Sequence, residues 1–303
     1  MRYMDLKLTV QSRNPISCYT EGTFVSNRYK IVNRIGFGCF ATAFKVQDSL
    51  DNYKELVAKV ARKSDDVSGK YQTEVAALTK LVGMKHWPQM KNHFETASYR
   101  VIIMTEEGES LGKVLSRNEN GAFSNANSFR ISYSLTKALH SLHDVGYLHR
   151  DINRDNITVK QKGKEILISV IDLGNASKSF PRQICRFNSY PTSWHVMVGK
   201  EWCDRDDFVS GLYLIADCLG ASIFNTKNQS LIDAKREFHT NPSAFFPPEQ
   251  LWMAKLITIF DSMVSDKKTD LSPIWNCYET ALPHVSPGSP IEYKEINDTI
   301  VIA

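Results

Sequence analysis

Three polar residues in the middle of the sequence are spaced as metal-dependent group transfer would require. Asp151 and Asn156 lie five residues apart in the segment YLHRDINRDNITV, which follows a predicted helix and precedes an apolar run. A carboxylate there can accept a proton from a hydroxyl and orient that hydroxyl as a nucleophile, and an amide oxygen five residues later can bind a hard cation such as Mg²⁺. Asp172 ends the apolar run of ISVIDLGNA and precedes a glycine turn. These residues therefore predict a site that binds Mg²⁺ and activates a hydroxyl.

A glycine-containing turn nearer the N-terminus is a candidate phosphate site. Gly36 and Gly38 lie in IGFGCFATAFKV between two strand-like segments, and glycine lets backbone N–H groups approach a phosphate closely. The alternative is an ordinary hairpin turn, which two glycines also permit. A dinucleotide-binding turn leads into a helix, whereas a strand follows here, which argues against that fold.

A lysine and a glutamate form a second candidate contact to phosphate. Lys59 ends the apolar segment LVAK, and Glu74 lies on the following predicted helix. If the two side chains pair across the sheet, the glutamate holds the ammonium group where it can bind phosphate oxygens. The alternative is two unrelated surface charges, whose mutual stabilisation is small.

The elements that must position these residues change in character along the chain. Short segments rich in β-branched and aromatic residues predict strands over 29–35, 41–46, 55–61 and 99–104. Apolar residues at helical spacing over 71–82 predict one helix among the strands, and Gly83 is its expected end. After Gly108, apolar stripes predict long helices that include 131–142, 212–219 and 251–264.

This pattern predicts an α+β chain with two lobes. The first is a small antiparallel β-sheet lobe with one helix, over about 25–104, and the second is a larger, mainly helical lobe over about 109–280. Residues 1–24 are polar and irregular, so we expect a flexible lead-in there. Residues 281–303 carry three prolines, so we expect a flexible tail.

Composition argues against several classes of protein. The 303 residues are 42% hydrophobic and 23% charged, as in an ordinary globular chain rather than a disordered or fibrous one. A net charge of +4 is weak support for a nucleic-acid surface. The apolar runs are shorter than the roughly 18 residues of a spanning helix, the N-terminal residues are too polar for a secretory signal, and the six scattered cysteines indicate a reducing compartment. We therefore expect no nucleic-acid or membrane partner and a cytoplasmic or nuclear location.

Taken in order, these segments resemble a eukaryotic protein kinase domain over about residues 25–280. Three stretches are most similar to the casein kinase I superfamily and, within it, to the tau-tubulin kinase branch: TEVAALTKL, SLHDVGYLHRDINRDN and CDRDDFVSGLYLI. The resemblance implies a bilobal protein-kinase-like fold. It also implies transfer of the γ-phosphoryl group of ATP, with Mg²⁺, to serine or threonine hydroxyls of protein substrates.

The resemblance assigns a role to each candidate residue. Lys59 would bind the α- and β-phosphates and Glu74 would position it. Asn156 and Asp172 would hold Mg²⁺, and Asp151 would orient the substrate hydroxyl. Asp207 would anchor the catalytic loop, which is the segment from His149 to Asn156. Met104 would lie at the back of the adenine site, followed by a hinge over 105–108. The residues implied to contact the nucleotide are Ile35, Gly36, Gly38, Ala43, Val57, Lys59, Met104, Thr105, Glu106, Glu107, Thr158 and Ile171.

Three departures from the family pattern concern catalysis. Asn153 stands where the family has a lysine that contacts the transferred phosphoryl group. Loss of one such electrostatic donor typically lowers the rate by about 10²–10³. Arg154 replaces the usual proline and is either a compensating charge or a solvated arginine. Ala41 replaces the third glycine of the turn, where a backbone conformation open only to glycine would be lost.

Other departures concern the nucleotide and the substrate. Ala43 and Val57 exchange the sizes that the family has at these two positions, which conserves volume, whereas the Thr158 hydroxyl would weaken stacking of adenine. Residues 185–195, here called the docking stretch, lack the family's Gly-Thr pair. Two functions are therefore open. One is an active serine/threonine kinase, which the surviving catalytic residues favour, and the other is a pseudokinase that acts as a nucleotide-binding or scaffolding module.

Overall fold

The computed structural model describes residues 16, 19–38, 41–65, 69–182, 184, 189–263, 269–297 and 299–302. These residues belong to two compact units. Unit 1 consists of Met1–Thr79 with Pro88–Glu106, and unit 2 consists of Lys80–Trp87 with Glu107–Ala303. The third crossing of the chain between the units, after Glu106, falls within the predicted hinge.

Unit 1 is a six-stranded antiparallel sheet with one long helix. The strands are β1 (Phe24–Val25), β2 (Tyr29–Phe37), β3 (Thr42–Asp48), β4 (Lys54–Arg62), β5 (Met90–Glu95) and β6 (Tyr99–Met104), and the helix is α1 (Lys70–Lys80). The strand order is β1-β2-β3-β4-β6-β5. All four predicted strands are present, with ends that differ from the prediction by at most two residues. β5 was not predicted, because its alternating residues are half-buried and exposed and include two charges.

The core of unit 1 lies on one face of this sheet. On β3, Phe44 and Val46 are buried while Ala43 and Lys45 on the other face are only half-buried, as the two-residue period of a strand requires. Ile16, from the predicted lead-in, is 5% exposed and packs into the same core. The lead-in is therefore not loose throughout, because burying an apolar side chain on the sheet stabilises its position.

The larger segment of unit 2, from Glu107 onward, begins with a short strand and is mainly helical. Its first elements are β7 (Glu109–Ser110), α2 (Leu111–Leu115), α3 (Asn125–Asp144), β8 (Tyr147–Leu148), β9 (Ile157–Lys162), β10 (Glu165–Val170) and β11 (Ser177–Lys178). They are followed by α4 (Trp194–Met197), α5 (Asp204–Cys218), α6 (Leu231–Thr240), α7 (Leu251–Ser262), α8 (Ser272–Ala281), β12 (Lys294–Ile296) and β13 (Thr299–Val301). Within the described ranges, no helix has the length and apolar character to cross a membrane.

Helix α3 shows how the sequence sets an element of unit 2. The hydroxyl of Ser124 accepts a hydrogen bond from the Asn127 backbone N–H and so caps the first turn. Gly146 follows the helix with a φ of +86°, a conformation that favours glycine. The predicted apolar stripe is buried, including Ile131 and Leu135. Residues next to its two ends therefore determine where α3, the helix that precedes the catalytic loop, begins and ends.

The C-terminal tail differs from the expectation of a flexible segment. Strands β12 and β13 pair as a hairpin, and Ile291 and Ile302 are 5% and 0% exposed. The Arg117 guanidinium donates to the Ile300 carbonyl at 2.7 Å, and the Asn118 amide donates to the Ile302 carbonyl at 2.6 Å. The prolines interrupt regular structure, but the two buried isoleucines and these hydrogen bonds attach the segment to unit 2.

Candidate active site

Unit 1 brings together the predicted lysine and glutamate. Lys59 lies on β4, opposite Ala43 on β3, and Glu74 lies on α1. The Lys59 Nζ atom is 2.7 Å from each carboxylate oxygen of Glu74. The side chains are only 17% and 6% exposed, so this is a partly buried, charge-assisted pair rather than two independent surface charges.

Five of the predicted nucleotide-binding residues share one face of the unit 1 sheet. Gly36 lies opposite Ala43, and Ala43 lies opposite Lys59. Val57, two residues before Lys59 on the same strand, lies opposite Met104. Directly opposed residues and residues two apart on one strand project from the same face. The strand register alone therefore places these five residues on the same face of the sheet.

The described residues of the glycine-containing turn, 35–38 and 41 onward, have no backbone conformation that requires glycine. Ile35 is half exposed, and the Gly38 N–H donates to the Ala41 carbonyl at 3.0 Å. Neither Gly36 nor Gly38 has a positive φ, and Ala41 is not among the described residues that have one. The Ala41 backbone is therefore free of left-handed strain, and the loss of a glycine-only conformation at this position stays a prediction.

The predicted hinge is held from both sides of the unit boundary. In unit 1, the Thr105 N–H donates to the Gln89 carbonyl at 3.0 Å, and the Gln89 N–H donates to the Thr105 hydroxyl at 2.8 Å. Glu106 ends unit 1. In unit 2, the Glu107 carboxylate accepts a hydrogen bond from the Ser169 hydroxyl at 3.2 Å. The side chains of Thr105 and Glu107 thus each form a hydrogen bond within their own unit.

The catalytic loop is anchored by a buried carboxylate on α5. Asp207 accepts the backbone N–H groups of His149 and Arg150 at 2.7 and 2.8 Å. The Trp202 indole N–H donates to it at 3.1 Å, and the His143 Nε2 lies at 3.0 Å. Burial alone would raise the pKa of Asp207, but these hydrogen bonds and the nearby histidines hold that pKa below its usual value. Asp207 thus occupies the anchoring position that the resemblance implies.

Two neutral amides orient the carboxylate of Asp151. The Asn153 side-chain amide donates to Asp151 Oδ1 at 3.0 Å, and the Asn175 amide donates to Asp151 Oδ2 at 3.1 Å. The Arg150 guanidinium donates to the Asn175 carbonyl at 2.8 Å and so fixes that residue. The sequence alone did not indicate Asn175; its position directly after Asp172-Leu173-Gly174 is the only local signal.

The metal-ligand candidates are joined through the backbone. The side-chain NH₂ group of Asn156 donates to the Asp151 backbone carbonyl at 2.9 Å. The side-chain oxygen of Asn156 therefore points to the opposite side. The Ile171 N–H donates to the Asn156 carbonyl at 2.9 Å, so Asp172 follows a residue bound to the catalytic loop. Asp172 has a φ of +65°, and such strain in a non-glycine residue is concentrated at functional sites. An amide oxygen and a carboxylate are hard ligands that fit Mg²⁺.

Asn153 is part of the loop structure rather than a simple loss of charge. Its side-chain oxygen accepts the backbone N–H groups of Asp155 at 2.9 Å and Asn156 at 3.2 Å. Its amide donates to both the carbonyl and the carboxylate of Asp151. All of these bonds are local, so the asparagine stabilises the turn in the way that this residue type commonly does. This role was not predicted.

Arg154, the candidate replacement for the missing lysine, lies against α2 and interacts with Asp217. The residue is exposed, and its aliphatic stem lies against Gly112 on α2, 3.1 Å from where a Cβ would be. Burial raises the pKa of Asp217, and the hydrogen bond from Tyr190 and the charge of Arg154 partly offset that rise. The guanidinium therefore acts on Asp217 of α5 in this conformation.

The remaining nucleotide-binding candidates of unit 2 lie at β9 and just after β10. Thr158 is 4% exposed, and its hydroxyl donates weakly to the Ser169 carbonyl at 3.4 Å. The Ile171 carbonyl lies 3.1 Å from the His149 Nε2. The Thr158 hydroxyl thus has a backbone partner, which reduces the desolvation cost that its polarity would otherwise bring.

Comparisons with known proteins agree with this geometry. Residues 29–197 match the protein kinase domain family. This chain belongs to that family. Vaccinia related kinase 3 has a solved structure that aligns over 93% of this chain and 96% of its own, with a TM-score of 0.72 and 17% identity. That likeness confirms the predicted α+β protein kinase fold.

Curated proteins similar to this chain are named as protein kinases. A Caenorhabditis elegans protein named as a serine/threonine-protein kinase is 33% identical over 158 residues, which are 51% of this chain and 45% of that protein. A second C. elegans protein, named as a casein kinase I, is 30% identical over 50% of this chain and 46% of its own length. The C. elegans kinase spe-6 is 25% identical over 78% of this chain and 66% of its own. The matched part thus spans about half the length of the first two relatives.

Proposed function

We propose that this chain is a catalytically active serine/threonine protein kinase that transfers the γ-phosphoryl group of ATP to protein hydroxyls. The observation that carries the proposal is the oriented carboxylate of Asp151, which receives one hydrogen bond on each oxygen, from Asn153 and from Asn175. A general base must be held in one orientation before it can align a hydroxyl. The formed Lys59–Glu74 ion pair supports the proposal independently.

Each residue would contribute a separate electrostatic or positioning effect. Lys59 would bind phosphate oxygens, with Glu74 fixing its ammonium group, and Asp151 would accept the hydrogen bond of the substrate hydroxyl. Asn156 and Asp172 would hold Mg²⁺, which when bound neutralises charge on the phosphate oxygens. Phosphoryl transfer of this kind depends on positioning and electrostatics rather than on covalent chemistry by the protein.

We expect the activity to be reduced relative to kinases that have a lysine at position 153. The Asn153 amide is a hydrogen-bond donor without charge, and its donor atoms are engaged with Asp151. Removing one preorganised donor to a transition state costs about 10²–10³ in rate. That loss lowers the turnover number but does not remove the groups that orient the nucleophile.

The test is transfer of the γ-phosphate of radiolabelled ATP to dephosphorylated casein, measured beside Asp151→Asn and Lys59→Met. The wild type should label casein in a Mg²⁺-dependent manner, and both variants should lose at least 99% of that rate. Thermal melting with ATP and Mg²⁺ should show a shift for the wild type and for Asp151→Asn, because Asp151 is not a nucleotide ligand. Equal inertness of the wild type and Asp151→Asn, with the melting shift retained, would contradict the proposal.

The second candidate function is a nucleotide-binding pseudokinase that acts as a scaffold. The observation that favours it is Asn153 itself, because its side-chain hydrogen bonds to Asp151, Asp155 and Asn156 stay within the catalytic loop. This function predicts the inert but ATP-stabilised result described above. A chain that ATP and Mg²⁺ do not stabilise at all would exclude both functions as stated.

We also propose that the chain lies within the casein kinase I superfamily, closest to its tau-tubulin kinase branch. The three stretches quoted from the sequence support this, and so does the similarity to the C. elegans protein named as a casein kinase I. A tree of full kinase domains that places the chain outside the superfamily would contradict it.

A further inference from the structure

Three helices of unit 2 bring two histidines and one aspartate together away from the catalytic loop. His195 lies on α4, His239 on α6 and Asp261 on α7. One ligand atom from each residue lies within 4.8 Å of the ligand atoms of the other two. We call these three residues the His-His-Asp cluster. None of them was a candidate from the sequence, because 44 and 22 residues separate them along the chain.

The donor set is the one that zinc prefers. Zn²⁺ in proteins is bound by imidazole nitrogens and carboxylate oxygens at about 2.0–2.2 Å, in tetrahedral geometry. Such bond lengths place neighbouring ligand atoms about 3.3 Å apart. In the structure, the His195 Nε2 lies 3.1 Å from Asp261 Oδ1, and the His239 Nδ1 lies 2.6 Å from Asp261 Oδ2. Outward movements of under about 1 Å would bring these pairs to the spacing of a tetrahedral site.

The surroundings of the cluster suit an ion with three protein ligands. The second ring nitrogen of His239 is within hydrogen-bond distance of the Tyr213 hydroxyl, which is the kind of outer contact that orients metal-binding histidines. The Trp194 ring stacks on His239 with 5.8 Å between ring centroids. His239 is 4% exposed, while His195 and Asp261 are 14% and 21% exposed. Water can therefore reach the Asp261 side and supply a fourth ligand.

We propose that the His-His-Asp cluster binds one divalent transition-metal ion, Zn²⁺ in preference to Co²⁺, through His195, His239 and Asp261, with water as the fourth ligand. Zn²⁺ is favoured because it has no geometric preference from its d-electrons and takes nitrogen and oxygen ligands in this tetrahedral arrangement. Because His195 is the last residue of the docking stretch, the ion would attach the end of that stretch to α6 and α7. The proposal does not depend on whether the chain transfers phosphate.

The test uses the full chain without a purification tag, stripped of metal by chelation and then titrated with Co²⁺ and Zn²⁺. We expect one equivalent of Co²⁺ to produce visible ligand-field bands of a four-coordinate site, and Zn²⁺ to remove them. Zn²⁺ at a hundredfold excess over its Kd should also raise Tm by several degrees. Bound Zn²⁺ should slow proteolytic cleavage at 189–197.

The variants are Asp261→Asn and His195→Ala, with His140→Ala as the matched control. His140 and Asp144 are also a histidine–aspartate pair, 3.5 Å apart, but they lie on one helix and are more exposed. Asp261→Asn keeps the size of the side chain, so it tests binding even if His195→Ala does not fold. We expect both cluster variants to bind Co²⁺ at least tenfold more weakly and the control to bind it as the wild type does.

Two outcomes would overturn the proposal. One is a wild type that shows neither the visible bands nor a Zn²⁺-dependent change in Tm. The other is Asp261→Asn binding Co²⁺ with wild-type affinity and spectrum. In either case the three residues would be a hydrogen-bonded cluster in which the carboxylate joins two histidines.

Discussion

The catalytic loop and the docking stretch are each held by one buried charged residue on a nearby helix, but the two charges are opposite. Asp207 on α5 accepts backbone N–H groups of the catalytic loop. Lys235 on α6 is fully buried, and its ammonium group donates to the carbonyl oxygens of Ser189, Tyr190 and Thr192 in the docking stretch. The catalytic loop is thus held through its backbone N–H donors, and the docking stretch through its backbone carbonyl acceptors.

The two buried charges also differ in the groups that surround them and therefore in their pKa values. Hydrogen bonds and the nearby histidines keep the pKa of Asp207 below its usual value despite burial. Burial lowers the pKa of Lys235 to about 7, although its ammonium group lies over the rings of Tyr213 and Phe224 at 4.8 and 5.1 Å. Carbonyl oxygens and aromatic rings carry no net charge. The residue that holds the docking stretch, Lys235, therefore gains or loses its charge near neutral pH. The residue that holds the catalytic loop, Asp207, stays charged there.

The largest expected effect comes from removing the anchor of the catalytic loop. Asp207→Ala would leave two backbone N–H groups and the Trp202 indole N–H without their acceptor. Breaking a buried charged contact of this kind costs about 3–5 kcal/mol of unfolding free energy. Urea denaturation followed by tryptophan fluorescence measures that loss.

Asp204→Ala is the matched control, because Asp204 lies on the same helix and is only half-buried. Its loss of a favourable contact with the helix N-terminus should cost about 1 kcal/mol or less. If the two variants lost similar free energies of unfolding, Asp207 would not be the anchor described here.

The next largest effect is the pH dependence that Lys235 imposes on stability. With a folded pKa of about 7, against an unfolded value near 10.4, the unfolded chain binds more protons between these values. The unfolding free energy of the wild type should therefore rise, relative to Lys235→Met, by about 2 kcal/mol from pH 7 to pH 9. Urea denaturation of both proteins across this range checks the difference.

Lys255→Met is the control for that experiment, because Lys255 is exposed on α7. Its stability profile should run parallel to that of the wild type over the same pH range. A Lys235→Met profile that also runs parallel would mean that the buried lysine keeps its proton throughout and that the comparison with Asp207 fails.

Restoring a charge to the catalytic loop should have a smaller but measurable effect. Asn153→Lys should raise the turnover number at least tenfold, because a positive charge near Asp151 stabilises the transferring phosphoryl group. The lysine cannot accept the N–H groups of Asp155 and Asn156, so the melting temperature should fall at the same time. Steady-state kinetics with casein and thermal melting report the two changes. No gain in turnover would show that another step limits the rate.

The smallest effect concerns the tyrosine of the docking stretch. The Tyr190 hydroxyl donates to Asp217 at 2.8 Å, and Tyr190→Phe should lower the unfolding free energy by about 1 kcal/mol. Tyr53→Phe, at a position 58% exposed, should change it by less than about 0.5 kcal/mol. Equal values for the two variants would mean that the docking stretch is held by Lys235 without help from Tyr190.

Much of the fold and part of the site followed from local sequence patterns. Apolar periodicity located the strands and the long helices, and the spacing of Asp151 and Asn156 located the catalytic loop. The pairing of Lys59 with Glu74 was open from the sequence and is formed in the structure. These features are encoded by residues that are close in sequence or that alternate regularly, which is where pattern arguments succeed.

The remaining contacts could not be predicted, because they involve residue types that are usually exposed or residues that are far apart in the sequence. A lysine within an amphipathic helix is normally solvent-exposed, so the burial of Lys235 could not be inferred from the segment LIDAKREF. Asn175 contacts Asp151 from 24 residues away, and the tail hairpin depends on hydrogen bonds that span more than 180 residues. Such contacts depend on the completed fold rather than on any local pattern.

Gly108 shows how little conformational freedom the backbone has at the end of the hinge. Its φ is +89°, and a Cβ built there would lie 2.1 Å from the carbonyl oxygen of Val159 on β9. A methyl group would have to displace the backbone of the strand that follows the catalytic loop. In a library randomised at every glycine and selected for folded protein, position 108 should return glycine alone. Positions such as Gly146 and Gly163, where a side chain would meet nothing within 4 Å, should also admit asparagine.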